Sequence, residues 1–184
     1  IHALKLAGRT EEVITLCESE ARVTGSYDRL VRHLMEAGRY DDAERGIREG
    51  IRATEEESPG IAAGLREKLR DIRTRQKNWP VVAAMHAEEF VRRPSWKLFL
   101  DCRKAAETIK AWPQVRAHLL QYLETGTLPW TQKEWPLPGS GLDASLQDRK
   151  ERFPMIDDLI EIAINEKKPD QVLHWYNQLP KDRF

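Results

Sequence analysis

The chain has 184 residues, 40% hydrophobic and 33% charged, with 30 Lys+Arg against 30 Asp+Glu. That length holds one ordinary domain or a short repeat array, and that balance excludes a disordered chain. No stretch approaches the roughly 18 to 20 consecutive apolar residues of a membrane-crossing helix. The widely separated Cys17 and Cys102 supply neither a disulfide framework nor the close pairs of a zinc site, so reduced, buried thiols in a cytoplasmic protein are expected.

Ile1 to Ala7 reads as the tail of a helix already under way, which argues for a piece of a longer protein and against a signal peptide. Thr10 is the expected cap of the next helix, with Glu11 and Glu12 in its first turn and Val13, Leu16 and Cys17 on its apolar face. Gly25 and Ser26 break the chain and cap a helix striped by Tyr27, Leu30, Val31 and Leu34. Gly38 closes it, because glycine alone enters the left-handed region without strain. Asp41 and Asp42 then set negative charge on the positive end of a new helix. Ala43, Ile47 and Ile51 share one face of it, and Gly46 and Gly50 keep that side thin enough for a close neighbour.

Ser58-Pro59-Gly60 is a stop signal, after which Ile61, Leu65, Leu69 and Ile72 step at helical spacing. Pro80 suits a first helical position, and Val81, Val82, Met85 and Phe90 follow it. Ser95 caps a helix with Trp96, Phe99, Cys102, Ala106 and Ile109 inward. A second Trp-Pro junction at Trp112 leads to Val115, Leu119, Leu120, Tyr122 and Leu123. Residues 127–152 form an insert rich in Pro, Trp and Gly, with a short turn expected over Leu142 to Arg149. Regularity resumes at Pro154 with Ile156, Leu159, Ile160 and Ala163. After Lys168-Pro169-Asp170 come Val172, Trp175, Tyr176 and Leu179.

The junctions superimpose. With Gly8, Gly38, Lys77, Lys110 and Lys167 in register, Glu11, Asp41, Pro80, Pro113 and Asp170 stand three residues on, all types favoured in a first helical turn. Val13, Ala43, Val82, Val115 and Val172 stand five residues on, all small and apolar. The separations are 30, 39, 33 and 57 residues, the last falling to about 31 without the insert. A period in the low thirties with two helices per unit predicts an all-α fold, an α-solenoid of stacked antiparallel hairpins over residues 1–184.

Leu34-x-x-x-Gly38-x-Tyr40-Asp41-x-Ala43 resembles the turn of a tetratricopeptide repeat, and the other junctions are degenerate versions of it. Over residues 34–180 a second resemblance appears. The run from Gly38 to Ile51, Glu88-Glu-Phe-x-x-Arg-Pro94, Trp135-Pro-Leu-Pro138 and the run from Ile160 to Val172 are similar to the helical C-terminal region of bacterial SWIM zinc-finger proteins. The C-x-C…C-x-H motif of that family is absent, so the resemblance implies the portion downstream of the zinc finger and carries over no zinc ligand.

Candidate chemistry is sparse. His33-x-x-Glu36 and His86-x-x-Glu89 each put an imidazole and a carboxylate on one helical face, in the reverse order of the di-iron Glu-x-x-His signature. Asp41-Asp42 and Asp157-Asp158 are explained by the helix dipole, and no nucleophile set or phosphate-cradling glycine loop is present. No catalytic residue, metal or cofactor is expected. Charge is uneven: −4 over residues 1–60, +7 over 61–120 and −3 over 121–184. In the basic middle, Arg66, Arg70, Arg73 and Lys77 follow one helical stripe, joined by Arg103 and Lys104. They are candidate contacts for an acidic protein segment or nucleic-acid phosphates; the competing reading is a solvated face, or one that meets acidic residues of the same protein. Trp130 and Trp135 pin the insert or anchor a partner. Protein–protein interaction is the leading functional expectation, nucleic-acid binding the alternative, and the sequence specifies no oligomeric state.

Overall fold

The computed structural model describes residues 2–142 and 153–179. Among them the regular structure is helical, with no strand. The chain divides into two compact units, residues 1–77 and residues 78–184. Among the described residues no helix is long and apolar enough to cross a membrane.

The first unit holds α1 (His2–Leu6), α2 (Thr10–Thr24), α3 (Tyr27–Glu36), α4 (Tyr40–Thr54) and α5 (Pro59–Arg75). Each helix packs on the next, and α3 also reaches α5. The core is aliphatic and fine-grained: Val13, Ile14 and Cys17 of α2, Leu30, Val31 and Leu34 of α3, Ala43 and Ile47 of α4, and Leu65 and Leu69 of α5 are all buried. Gly50 makes the close approach of α4 to α5 possible, because a β-carbon there would lie 2.6 Å from Leu65 Cδ1 and 2.7 Å from Tyr27 Cβ.

The second unit holds α6 (Trp79–Arg92), α7 (Trp96–Thr108), α8 (Trp112–Thr125), a 3-10 turn (Pro129–Thr131), α9 (Ile156–Asn165) and α10 (Pro169–Tyr176). α6 packs along α7, α8 meets both, and α9 packs on α7, α8 and α10. All six tryptophans lie in this unit. Its centre is aromatic: Phe99 meets Phe90 at 5.6 Å, Trp96 at 5.7 Å and the edge of Trp112 at 5.0 Å between centroids. The buried Tyr122 hydroxyl donates to the Val91 carbonyl at 3.2 Å, which satisfies the polar end of a ring in an apolar site.

The aligned junctions share a backbone as well as a sequence register. Gly8, Gly38, Lys77, Lys110 and Lys167 all have positive φ, between 56° and 73°. The amides of Arg9, Arg39, Ala111 and Lys168 donate to the carbonyls of Leu4, Leu34, Ala106 and Ala163 at 2.9 Å, the six-to-one bond of a Schellman stop. The amides of Val13, Ala43, Val82, Val115 and Val172 donate to the carbonyls of Arg9, Arg39, Asn78, Ala111 and Lys168 at 2.9–3.2 Å. The start is built five times and the six-to-one stop four times. Three of the five junctions hold lysine in the left-handed region that favours glycine.

Other expectations need correction. Arg9 occupies the cap of α2 and makes no side-chain cap, while Thr10 is its first helical residue. The Ser26 hydroxyl accepts from Thr24 Oγ1 at 2.7 Å instead of capping α3. Ser95 does cap α7, accepting from the Leu98 amide at 3.3 Å. Leu16, Ile61 and Tyr176 are exposed, and Ile14 and Ala62 fill the core beside the first two. A one-residue step turns a helix by about 100°, so the neighbouring element decides which edge of an apolar stripe is covered.

In the insert Pro129, Leu137 and Ser140 are buried, and Leu128, Trp130 and Trp135 pack against the core of the second unit. The Met155 amide donates to the Leu123 carbonyl at 2.7 Å and returns the chain to α8. Of the turn expected over Leu142 to Arg149, positions 143–149 lie outside the described residues.

Candidate functional site

The basic stripe follows α5, whose apolar face (Ala62, Leu65, Leu69, Ile72) is buried, and its arginines emerge one position along, at the edge facing α4. Arg66 Nη1 lies 2.5 Å from Glu55 Oε2. Arg73 holds Glu44 with two bonds of 2.6 and 2.7 Å, and both side chains are 16% exposed. Lys68 lies 3.2 Å from Asp28 of α3. Arg70 stands 3.9 Å from Glu67, and Lys77 is exposed in its left-handed turn. Residues 1–77 therefore carry 15 Lys+Arg against 15 Asp+Glu, and the cations of α5 neutralise carboxylates of the preceding helices. Arg103 and Lys104 belong to the second unit, paired along α7 with Glu107 at 2.7 Å and Asp101 at 3.6 Å. Trp130 and Trp135 are both half-buried, and Trp135 meets the His118 ring edge-on at 5.6 Å.

Arg116 of α8 reaches Glu166, at the end of α9, with bonds of 2.8 and 2.5 Å, and Lys168 adds a contact at 2.8 Å. Burial pushes the Glu166 pKa up, but the hydrogen bonds and charges of Arg116 and Lys168 outweigh it and hold it below the ordinary carboxylate range. Cys102 is buried on α7, and desolvation pushes its thiol up to about 12, which makes it a packing residue rather than a nucleophile. His33 is buried, with Nδ1 3.1 Å from Glu36 Oε2.

Two narrow clefts remain. In the second unit a cleft of about 240 Å³ opens between α8, α9 and α10, with Leu120, Leu159, Ile162 and Trp175 as its apolar lining. In the first unit a cleft of about 170 Å³ opens between α2 and α4. Leu30 and Leu34 of α3 form its base, with Gly46 of α4 beside them, and Glu18, Arg22 and Glu49 stand at its walls. The Tyr27 hydroxyl donates to Glu49 Oε1 at 3.3 Å, and burial, followed by the Glu49 charge, raises its pKa. Asp42 at one end is engaged by both Arg39 and Arg45. Sequence reasoning missed this cleft because its walls come from α2 and α4, on either side of the intervening α3. Gly46, which bares the α4 backbone over Leu30 and Leu34, was the one signal present.

These two are smaller than the roughly 300 Å³ at which pockets that enclose small-molecule ligands begin, and a third, of about 480 Å³, is a wide-open polar depression beside the Gly38 turn, lined by Arg39, Asp41, Asp42 and Gln76. Among the described residues no group of three or more His, Cys, Asp or Glu converges to hold a metal ion. Compared with family models, curated proteins and solved structures, the chain finds no match.

Proposed function

We propose that the chain is a non-catalytic helical-repeat scaffold, a TPR-like α-solenoid that mediates protein–protein interaction inside a larger cytoplasmic protein. The observation that carries this reading is the recurrence of one turn at Gly8, Gly38, Lys77, Lys110 and Lys167, with the same dihedral sign and register. Packing between alternate helices, α3 with α5, α6 with α8 and α7 with α9, supports it, since stacked hairpins bring such pairs together. Stacked hairpins present extended surfaces and shallow clefts, which suit a peptide or a domain better than a reaction. The larger protein is proposed to be of the bacterial SWIM zinc-finger type, from the sequence runs that resemble it, and the partner to be another protein or another of its own domains.

Nucleic-acid binding through the basic middle is the competing reading, and the pairing of Arg66 and Arg73 with Glu55 and Glu44 weighs against it. A fluorescence-anisotropy screen of the chain against a peptide library and against single- and double-stranded DNA and RNA separates the two. Peptide binding that changes little with salt is the expected result. Binding of DNA or RNA alone, falling steeply as salt rises, would overturn the proposal.

A further inference from the structure

The five aligned junctions lead into α2, α4, α6, α8 and α10, and the last of these differs from the others on one face. Five residues after the turn, Val13, Ala43, Val82 and Val115 are at most 4% exposed, whereas Val172 is only half-buried. Six residues after it, Ile14 and Ala83 are buried and Glu44 and Arg116 are ion-paired with Arg73 and Glu166, whereas Leu173 is 59% exposed. Nine residues after it, Cys17, Ile47 and Leu119 are buried and His86 is half-buried, whereas Tyr176 is 54% exposed. The physical difference is a neighbour. α3 packs on α2, α5 on α4, α7 on α6 and α9 on α8, while α10 packs on α9 and has no following helix among the described residues. Trp175 packs against the core of the second unit, yet α10 has no buried residue. Val172, Leu173 and Tyr176 therefore form an apolar face at positions that the other four copies cover.

Charge says what kind of helix fits that face. Residues 156–176, the α9–α10 hairpin, carry five Asp+Glu against two Lys+Arg, and Glu161 and Asp170 are exposed on it. The first unit contains a worked example of the match. There α5 packs on α4 with Ala62, Leu65, Leu69 and Ile72 buried, and its Arg73 and Arg66 engage Glu44 of α4 and Glu55 just beyond it. We infer that the Val172–Leu173–Tyr176 face of α10 takes an amphipathic helix of a partner protein, with an apolar stripe and a net positive charge, seated on α10 as α5 sits on α4. The inference names the partner chemistry for the interaction-module reading and rests on it in that respect.

The test is titration of the ¹⁵N-labelled full chain with a capped peptide copying residues 59–75, which carries the α5 stripe and five Lys+Arg against two Asp+Glu. One control peptide exchanges every Lys and Arg for Glu, and a second replaces the four stripe residues with Ser. The basic amphipathic peptide should shift the amides of Val172, Leu173 and Tyr176 saturably. Both controls should bind about tenfold more weakly, and so should the basic peptide against Leu173→Ser, whose exposed side chain can be cut back without opening the core. Glu161→Gln/Asp170→Asn should weaken the basic peptide and tighten the charge-reversed one, an opposite sign that damage to the fold cannot produce. Equal binding of the charge-reversed peptide, indifference to Leu173→Ser, non-saturating shifts, or shifts confined to other helices would overturn the inference. Sedimentation of the free chain as a dimer that Leu173→Glu dissociates would also overturn it, by giving the face to a second copy. If library peptides bind elsewhere while the basic peptide leaves α10 unmoved, the α10 assignment falls and the scaffold reading stands. If the basic peptide seats on α10 but the library screen yields nucleic-acid binding alone, the assignment stands and the scaffold reading falls.

Discussion

In residues 1–77 helices meet through small residues and ion pairs, with Gly50 letting α4 sink onto Leu65 and Tyr27, and Glu44 gripped by Arg73. In residues 78–184 they meet through rings, with Phe99 surrounded by Phe90, Trp96 and Trp112, and Trp130 and Trp135 packed onto the same core from the insert. The aligned turns share one backbone in both, at Gly8 and Gly38 in the first and at Lys110 and Lys167 in the second. The repeat thus specifies the turn and leaves the material between helices free. A thin interface depends on the absence of atoms, and a thick one on their presence, so the two units should fail under opposite substitutions.

The largest effect should come from removing a ring. Phe99→Ala empties the centre of the second unit and should cost about 3–5 kcal/mol. Urea denaturation followed by residue-resolved hydrogen exchange should find the loss concentrated in residues 78–179, and an equal loss of protection in residues 2–77 would mean that the units are not independent.

Adding an atom should break the first unit. Gly50→Ala drives a methyl group into Leu65 and the Tyr27 ring, for about 1–3 kcal/mol of destabilisation. Gly46→Ala, one turn away, meets Val31 Cγ2 at 3.5 Å and Leu30 Cδ2 at 3.7 Å, ordinary contacts. Relief of the helix penalty of glycine should make it stabilising by about 0.5–1 kcal/mol. Denaturation midpoints that move in the same direction for both would refute this account of the thin interface.

The smallest effect tests what the units have in common. Lys77, Lys110 and Lys167 hold left-handed φ values of 56°, 59° and 57°. Replacing each with glycine should stabilise the chain by up to about 1 kcal/mol, offset in part by the greater freedom of glycine when unfolded. Thermal melts of the single and triple variants would measure it, and uniform destabilisation would mean that the lysine side chains hold the turns.

The junction register, the all-helical class and the stacking role of Ala43 and Gly50 were legible because each depends on local chemistry: a chain reversal, a helix start, a narrow face. The left-handed lysines were less legible, since their backbone state follows from the helix stop and the start of the next helix, with a six-to-one bond around Lys110 and Lys167, rather than from residue type. Leu16 and Ile61 were misjudged because hydrophobic periodicity gives a stripe without its exact centre. Thr10 and Ser26 have good capping chemistry, and here the tight turn places Arg9 at the cap of α2 and Thr24 binds the Ser26 hydroxyl. The basic stripe was visible, but the engagement of its arginines by Glu44 and Glu55 was not, because each ion pair joins neighbouring helices. The cleft between α2 and α4 was hidden because its walls lie on either side of an intervening helix.

The confinement of every tryptophan to the second unit gives the chain a built-in optical label. Intrinsic indole emission follows the environment of residues 78–184 alone, while far-ultraviolet ellipticity follows helices on both sides of Lys77. One unmodified sample, observed at two wavelengths during a single denaturant titration, would reveal whether the halves melt as one body or in succession.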